Sequence, residues 1–305
     1  MNIPTISVAL FGSPLLNRST QSPADVARKS APTAEVLKTL KQLNFEVLLE
    51  KEFAQFIQTY LHIDTSEYKV LPSTEIHVDY AISMGGDGTF LNTAAAISSK
   101  GIPILGINTG RLGFLADVSP KDIVPALEML AQNGCHIEQR SVIAIEKDGQ
   151  PIHTYPFALN EVAILKHDNS LLIEVTTCVG GELLANYMAD GIIICTPTGS
   201  TGYSLSVGGP IIEPRSNTFC ISAVAPHSLS VRPVILCDDA EITLNVRSRS
   251  HNFLISIDGR SESFPEQTTI RLRRAPYTIG VVKLMHKEIF DTMRSKMMWG
   301  MDHRF

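Results

Sequence analysis

The sequence predicts an α/β N-terminal domain on a parallel sheet, a β-rich domain after it, and a C-terminal helix that returns to the first domain. Three observations carry this. Over residues 1–135 short apolar runs alternate with helical spacings, the pattern of a parallel sheet covered by helices. From 136 to 277 short β-branched runs follow one another between turn residues, with no long amphipathic helix. Residues 278–305 then resume a helical pattern. At 305 residues the chain has room for two separate cores.

The first domain is justified element by element. "IPTISVALFG" (3–12) is a strand running into a Gly-Ser-Pro turn, and the Ser, Pro and Thr of 13–32 predict a mobile loop. "TAEVLKTLKQLNF" (33–45) has helical spacing at Val36, Leu37, Leu40 and Leu43, with Thr33 as N-cap. "FEVLLE" is the next strand and "EFAQFIQTYL" an amphipathic helix. "YAISM" then runs into Gly85-Gly86-Asp87-Gly88, and the alanine-rich "FLNTAAAISSK" after it favours helix. "IPILGINTG" repeats the strand-to-glycine pattern, followed by "RLGFLADV" and a helix over "DIVPALEMLAQNG". The expected sheet is Rossmann-like.

The second domain begins with "RSVIAIEKDGQPIHTYPFALNEVAIL", where Asp148-Gly149 marks a hairpin between apolar runs. Gly180-Gly181 separates two further strands, and "CISAVAP", "RPVILC", "AEITLNVRS", "FLISIDGRSESF" and "TTIRLRRA" continue the series. In the closing "KEIFDTMRSKMMWGM", Ile289, Met293 and Met297 stand at i, i+4, i+8 with Phe290 beside them. Such a stripe packs back on the α/β domain.

Composition narrows the function classes. A net charge of −5 gives no reason to expect nucleic acid or an anionic membrane as a partner. No apolar run reaches the ~18 residues of a membrane span, and the N-terminus lacks the basic flank of a signal peptide. Cysteines 135, 178, 195, 220 and 237 include no CxxC, so neither a disulfide framework nor a zinc site is expected. Asn17-Arg18-Ser19 matches a glycosylation acceptor by chance. The expected location is cytoplasmic, and no residue is assigned as a metal ligand.

Three stretches carry the chemistry. In the glycine cluster, Asp87 or Thr89 either caps the following helix or, with Gly85, Gly86 and Gly88 leaving room for a ligand, Asp87 accepts a hydroxyl proton beside a phosphate. The run is neither a dinucleotide GxGxxG nor a Walker A loop. Asn160-Glu161 either forms a turn or hydrogen-bonds a ligand, since Asn donates and accepts and Glu accepts from two hydroxyls of a ribose. "TPTGSTGYSLSVGGP" (196–210) is either a flexible connection or a loop whose hydroxyls and bare N–H groups suit phosphates and base edges, with Tyr203 for stacking. Asp190-Gly191 is a hairpin turn or places a carboxylate against a ligand. His227 and Arg232 of "PHSLSVRP" are loop and packing residues.

"GGDGTFL", "NE", "YMADGIIICTPTGSTGYSLSVGGP", "PHSLSVRP" and "ISIDG" occur here in the order found in NAD kinases, and the chain resembles that family over roughly residues 79–299. Diacylglycerol and sphingosine kinases and phosphofructokinases share glycine-aspartate loops like the first motif; the long Thr/Gly/Ser loop is far more specific. The resemblance implies an α/β domain, a β domain and a returning helix, assembled as a homodimer or homotetramer. It also implies phosphoryl transfer from ATP to the 2′-hydroxyl of the adenosine ribose of NAD, assisted by a divalent cation, usually magnesium. A lipid kinase and a non-catalytic dinucleotide sensor are the competing functions.

By the same resemblance, Asp87 is the proton acceptor and Gly88 a backbone contact to the dinucleotide. Asn160 and Glu161 hold base and ribose hydroxyls, and Asp190 orients the nicotinamide end. Thr198, Thr201, Gly202, Tyr203 and Ser206 surround the bases, and Phe114 forms an apolar wall. Three positions depart from the family. Gly202 stands where alanine is frequent, Met188 where many members are basic, and Arg260 where glutamine is common. Arg260 is expected to bring its charge towards a phosphate, from a neighbouring subunit.

Overall fold

The computed structural model describes residues 5–12, 23–72, 76–110, 113–152, 155–167, 172–284 and 289–300. The chain divides into two compact units, Met1–Glu138 with Gly280–Phe305, and Gln139–Ile279. The acceptor sequence at 17–19 and the segment 13–22 lie outside the described residues.

In the first unit the elements run β1 (Ser7–Gly12), α1 (Pro23–Gln42), β2 (Glu46–Leu49), α2 (Lys51–Tyr60) and β3 (Lys69–Val70). β4 (Tyr80–Gly85), α3 (Asp87–Ile97), β5 (Ile104–Asn108), α4 (Ile123–Ala131) and β6 (Cys135–Arg140) follow. The second unit contains β7 (Ile143–Lys147), β8 (Gln150–Pro151), β9 (Phe157–Ala158), β10 (Glu161–Lys166), β11 (Ile173–Val179), β12 (Glu182–Ala189) and β13 (Gly191–Cys195). It continues through the one-turn α5 (Tyr203–Ser206), β14 (Thr218–Val224), β15 (Val234–Cys237), β16 (Ile242–Arg247), β17 (Asn252–Ile257), β18 (Arg260–Pro265) and β19 (Thr269–Arg274). β20 (Ile279–Leu284) and α6 (Ile289–Met297) bring the chain back to the first unit.

The first sheet has the order β3-β2-β1-β4-β5-β20-β6, and its pairings from β3 through β20 are parallel. Strands buried on both faces are continuously apolar, as Val8–Leu10 and Ile104–Ile107 are. Connections reverse direction between β1 and β4, the switch point where open α/β sheets receive ligands at the carboxyl ends of their strands. Gly85, Gly86 and Asp87 lie at that end of β4.

Two expectations change here. Residues 23–32 are not loop but the first half of α1, despite Pro32 within it. Thr33 therefore caps nothing: it is buried inside the helix, and its Oγ1 donates to the Lys29 carbonyl one turn back, a bond open to threonine in mid-helix. Ser, Pro and Thr mimic a loop, whereas buried Val36, Leu37 and Leu40 stabilise the helix by packing. Phe290, placed beside the apolar stripe of α6, is 55% exposed.

The second unit is two antiparallel sheets, β15-β14-β13-β10-β17-β18 and β12-β11-β16-β19-β7-β8 with β9 beside β7. One core takes Val162, Ile164, Ile192, Ile194 and Ile255 from the first sheet and Ile145, Val175, Leu244 and Leu272 from the second. Alternate residues of each strand supply it, as for two sheets packed face to face. Asp148 (φ 49°) and Gly149 (φ 77°) make the expected tight hairpin between β7 and β8. Asp190-Gly191 is not a hairpin: β12 and β13 belong to different sheets, and Asp190 is where the chain crosses between them. Among the described residues, no helix is long and apolar enough to cross a membrane.

Candidate functional site

Asp87 is the first residue of α3, whose N-cap is Gly86 without any side-chain cap bond. Neither Asp87 nor Thr89 caps the helix. Instead the Asp87 carboxylate reaches the segment after β5: Oδ2 accepts from the Phe114 N–H at 2.7 Å, and Oδ1 from Leu115 at 2.9 Å and Ala116 at 3.2 Å. Gly113 permits this approach, because a Cβ there would lie 1.8 Å from Asp87 Oδ1. Buried Asn108 anchors the same segment, with Nδ2 donating to the Ala116 carbonyl and Oδ1 accepting from Gly110. Space beside Gly86 and Gly88 is open, so a ligand can approach the backbone at both.

Behind this segment lies a buried ion pair, Lys283 Nζ to Asp117 Oδ2 at 2.6 Å. Lys296 of α6 lies over the Phe114 ring, 4.2 Å from its centroid, and its buried Nζ has no hydrogen-bond partner. Burial lowers the Lys296 pKa to about 8, against the attraction of Asp87 and Asp117.

In the second unit Asn160 and Glu161 stand at the start of β10. Their backbone is held by Asp258, whose carboxylate accepts from the N–H groups of Leu159, Asn160 and Glu161 at 2.8, 2.9 and 3.0 Å. Opposite lies the end of β13. Thr196 Oγ1 donates to the Leu159 carbonyl at 2.6 Å, and its N–H donates to the Asn160 carbonyl. The segment read as a loop is folded: a 3-10 turn at Thr198–Thr201 leads into α5. Gly199 lies so close to the Asn160 backbone that a Cβ would fall 2.1 Å from the carbonyl oxygen.

This packing leaves three buried polar atoms without partners: Asn160 Oδ1, Glu161 Oε2 and Thr198 Oγ1. Such groups are costly and rarely left unpaired, so the three together make this a candidate ligand position. Burial, aided by the nearby Asp258 charge and opposed by the Tyr203 N–H, pushes the Glu161 pKa up to about 7. Burial also raises the Asp258 pKa, against the three N–H groups it binds and the Arg260 charge.

The candidate residues therefore fall into groups. Asp87, Gly88 and Phe114 gather in the first unit. Asn160, Glu161, Thr198 and Gly202 gather in the second, where a Cβ on Gly202 would lie 2.9 Å from Glu161 Oε2. Thr201 Oγ1 turns back to the Thr198 carbonyl, Tyr203 is 38% exposed, and Ser206 faces solvent.

Asp190 is not brought to Glu161. It pairs with Lys166 at 2.7 Å, at the other end of β10, roughly 17 Å along the strand. Arg260 stacks on Tyr155, 4.6 Å from the ring centroid, and donates to the Ile257 carbonyl. Met188 is exposed, and its carbonyl accepts from the His227 N–H. Asp258, Gly113, Gly199 and Lys296 were not singled out from the sequence. "ISIDG" was a motif without an assigned role, and only the folded chain shows what the two glycines touch.

Comparison with known proteins gives a consistent result. The family model of the ATP-NAD kinase N-terminal domain matches residues 24–135, and that of the C-terminal domain matches 159–284. An NAD kinase of Bacteroides fragilis is 51% identical over 278 residues, covering 91% of this chain and 96% of the relative. One from Porphyromonas gingivalis is 40% identical, covering 90% and 94%. Yeast NADH kinase, solved with NADH, superposes with a TM-score of 0.85 at 21% identity, covering 100% of this chain and 91% of that one. An Archaeoglobus fulgidus NAD kinase, solved with ATP, gives 0.70 at 24%, covering 95% and 98%. At those identities the two structures speak for the fold.

Proposed function

The chain belongs to the NAD kinase family, and we propose that Asp87 accepts the proton in its reaction while Asn160, Glu161 and Thr198 hold the dinucleotide. The reaction is transfer of the terminal phosphoryl group of ATP to the 2′-hydroxyl of the adenosine ribose of NAD, giving NADP. The observation that carries the binding assignment is the trio of unpartnered buried atoms, Asn160 Oδ1, Glu161 Oε2 and Thr198 Oγ1. A carboxylate and an amide oxygen accept from ribose hydroxyls and a base amine, and a threonine hydroxyl both donates and accepts. Gly202 leaves room beside Glu161, and Tyr203 offers a ring for stacking on a base. Thr201 and Ser206 complete the surroundings of the bases, and Asp190, fixed by Lys166, serves the nicotinamide end.

Asp87 suits a proton acceptor because three N–H groups fix its direction without using all its acceptor capacity. Oδ1 takes two of them and Oδ2 one, which leaves a lone pair on Oδ2 for the hydroxyl proton. Phosphoryl transfer requires little covalent chemistry from protein, so orientation of the nucleophile and neutralisation of phosphate charge carry the rate. The residues present do not form a metal cage: among the described residues no three His, Cys, Asp or Glu side chains cluster for one. Asp117 is bound to Lys283, and most acceptor sites of Asp87 are occupied. Magnesium accordingly enters with the phosphates of ATP, as part of the substrate.

We further propose a homodimer or homotetramer, working in the cytoplasm where ATP and NAD are available. The test of function is incubation with ATP, magnesium and NAD, with NADP read by an NADP-specific dehydrogenase, and diacylglycerol and sphingosine as control acceptors. NADP formation with no lipid phosphorylation is expected. Binding of NAD without ATP-dependent NADP formation would favour a sensor.

A further inference from the structure

We propose that Lys296, on the C-terminal helix, holds a phosphoryl oxygen of ATP beside Asp87. The proposal rests on the phosphoryl-transfer reading above and adds a residue that lies outside the motifs quoted above. Its position is unusual at the level of sequence. In α6 the residues at 289, 293 and 297 form one stripe, and position 296, three after Met293, falls on that stripe rather than opposite it. A lysine there carries a charge into an apolar face.

The surroundings explain what that charge can do. Lys296 faces Asp87 from α3, Asp117 from the segment after β5, and Lys283 from β20. On its own helix Asp291 and Arg294 pair with each other. Of these four inward charges, three are committed: Lys283 to Asp117 at 2.6 Å, and Asp87 to the N–H groups of residues 114–116. Lys296 has three donors and none engaged, its ammonium resting on the face of Phe114. An unpartnered buried ammonium is destabilising and is retained where an anion completes it. Phe114 links the amine to the base directly, because its ring lies under Nζ and its N–H binds Asp87. The terminal phosphoryl group must pass close to the proton acceptor, and its developing charge calls for a fixed cation there.

The test compares Lys296→Met and Lys296→Arg with the wild type in steady-state NADP formation. Methionine keeps the length and the contact with the Phe114 ring, so packing survives while charge is lost; thermal melts verify folding. Lys296→Met is expected to lower kcat/KM for ATP by about 10²-fold, the effect of losing one transition-state donor, with KM for NAD within about twofold. Lys296→Arg should recover most of it. Because the wild-type amine loses its proton near pH 8, wild-type kcat/KM for ATP should fall above that pH, and the fall should vanish with arginine. A purely structural lysine would give neither the ATP-specific loss nor the pH difference. Wild-type kcat/KM for ATP in Lys296→Met, or an unchanged alkaline limb in Lys296→Arg, overturns the proposal. A wild type that makes no NADP would instead contradict the phosphoryl-transfer reading. Calorimetric ATP binding then decides the role of Lys296: about tenfold weaker binding in Lys296→Met supports it, and equal affinity overturns it.

Discussion

The carboxylate of Asp258 grips the backbone of Glu161: Oδ1 accepts from the Glu161 N–H at 3.0 Å, and the same side chain takes the N–H groups of Asn160 and Leu159. Asp87 does the same to residues 114–116 in the other unit. Each aspartate precedes a glycine and binds three successive backbone donors, so each fixes a segment of its own unit that carries candidate residues.

Asp258→Asn replaces an acceptor pair by one acceptor and one donor, and the amide meets an N–H it cannot accept. The variant should lose about 1–3 kcal/mol of stability, the cost of a buried unpaired group. KM for NAD should rise more than KM for ATP, because Asp258 holds the backbone of Asn160 and Glu161, the residues proposed to bind NAD. Thermal melts and steady-state kinetics with each substrate varied check both points.

Glu161 couples stability to pH. Its folded pKa of about 7 lies above the ordinary 4.5, so the native state keeps a proton that the unfolded chain has lost. The resulting instability is absent below pH 4.5, grows as pH rises, and is complete above about 7. Glu161→Gln should therefore raise the melting temperature of the ligand-free protein at pH 8, by about 2–4 °C per kcal/mol removed, and leave it nearly unchanged at pH 4.5.

Binding of NAD should follow the same group in the opposite sense. An ionised Glu161 accepts from two ribose hydroxyls where a protonated one accepts less well. Calorimetric NAD affinity should rise by about tenfold between pH 6 and 8 and be flat in Glu161→Gln.

Two glycines of one segment should respond differently to alanine. At Gly199 a Cβ would meet the Asn160 carbonyl oxygen at 2.1 Å, a backbone atom held in the sheet junction. Gly199→Ala should reduce NAD affinity by at least about fivefold, since a forced backbone shift costs about 1–3 kcal/mol. At Gly202 the obstacle is Glu161 Oε2 at 2.9 Å, the end of a flexible side chain. Gly202→Ala should stay within a few-fold of wild type, and parallel NAD titrations separate the two.

Much of this was legible in the sequence. Alternating strand and helix patterns mark the parallel sheet of the first unit, and Asp148-Gly149 marks the β7–β8 hairpin of the second, because local turn chemistry and side-chain period act over a few residues. The start of α1 was hidden, because packing of Val36, Leu37 and Leu40 overrides the loop-like Ser and Pro before it. Asp87 was recognisable as a polar residue among glycines, but its acceptor role towards 114–116 depends on a contact 27 residues away. Asp258 and Lys296 are further still from their partners, and no local pattern encodes such distances.

The central claim is that Asp87 takes the proton from the 2′-hydroxyl, and Asp87→Asn tests it most directly. The structure adds a control, since asparagine also mismatches one of the three N–H donors of residues 114–116, so folding is verified by thermal melt before kinetics. With purified, folded protein, kcat for NADP formation should fall by about 10²- to 10⁴-fold, the size of a general-base contribution, while NAD affinity stays within about threefold. Wild-type kcat in Asp87→Asn would contradict the assignment.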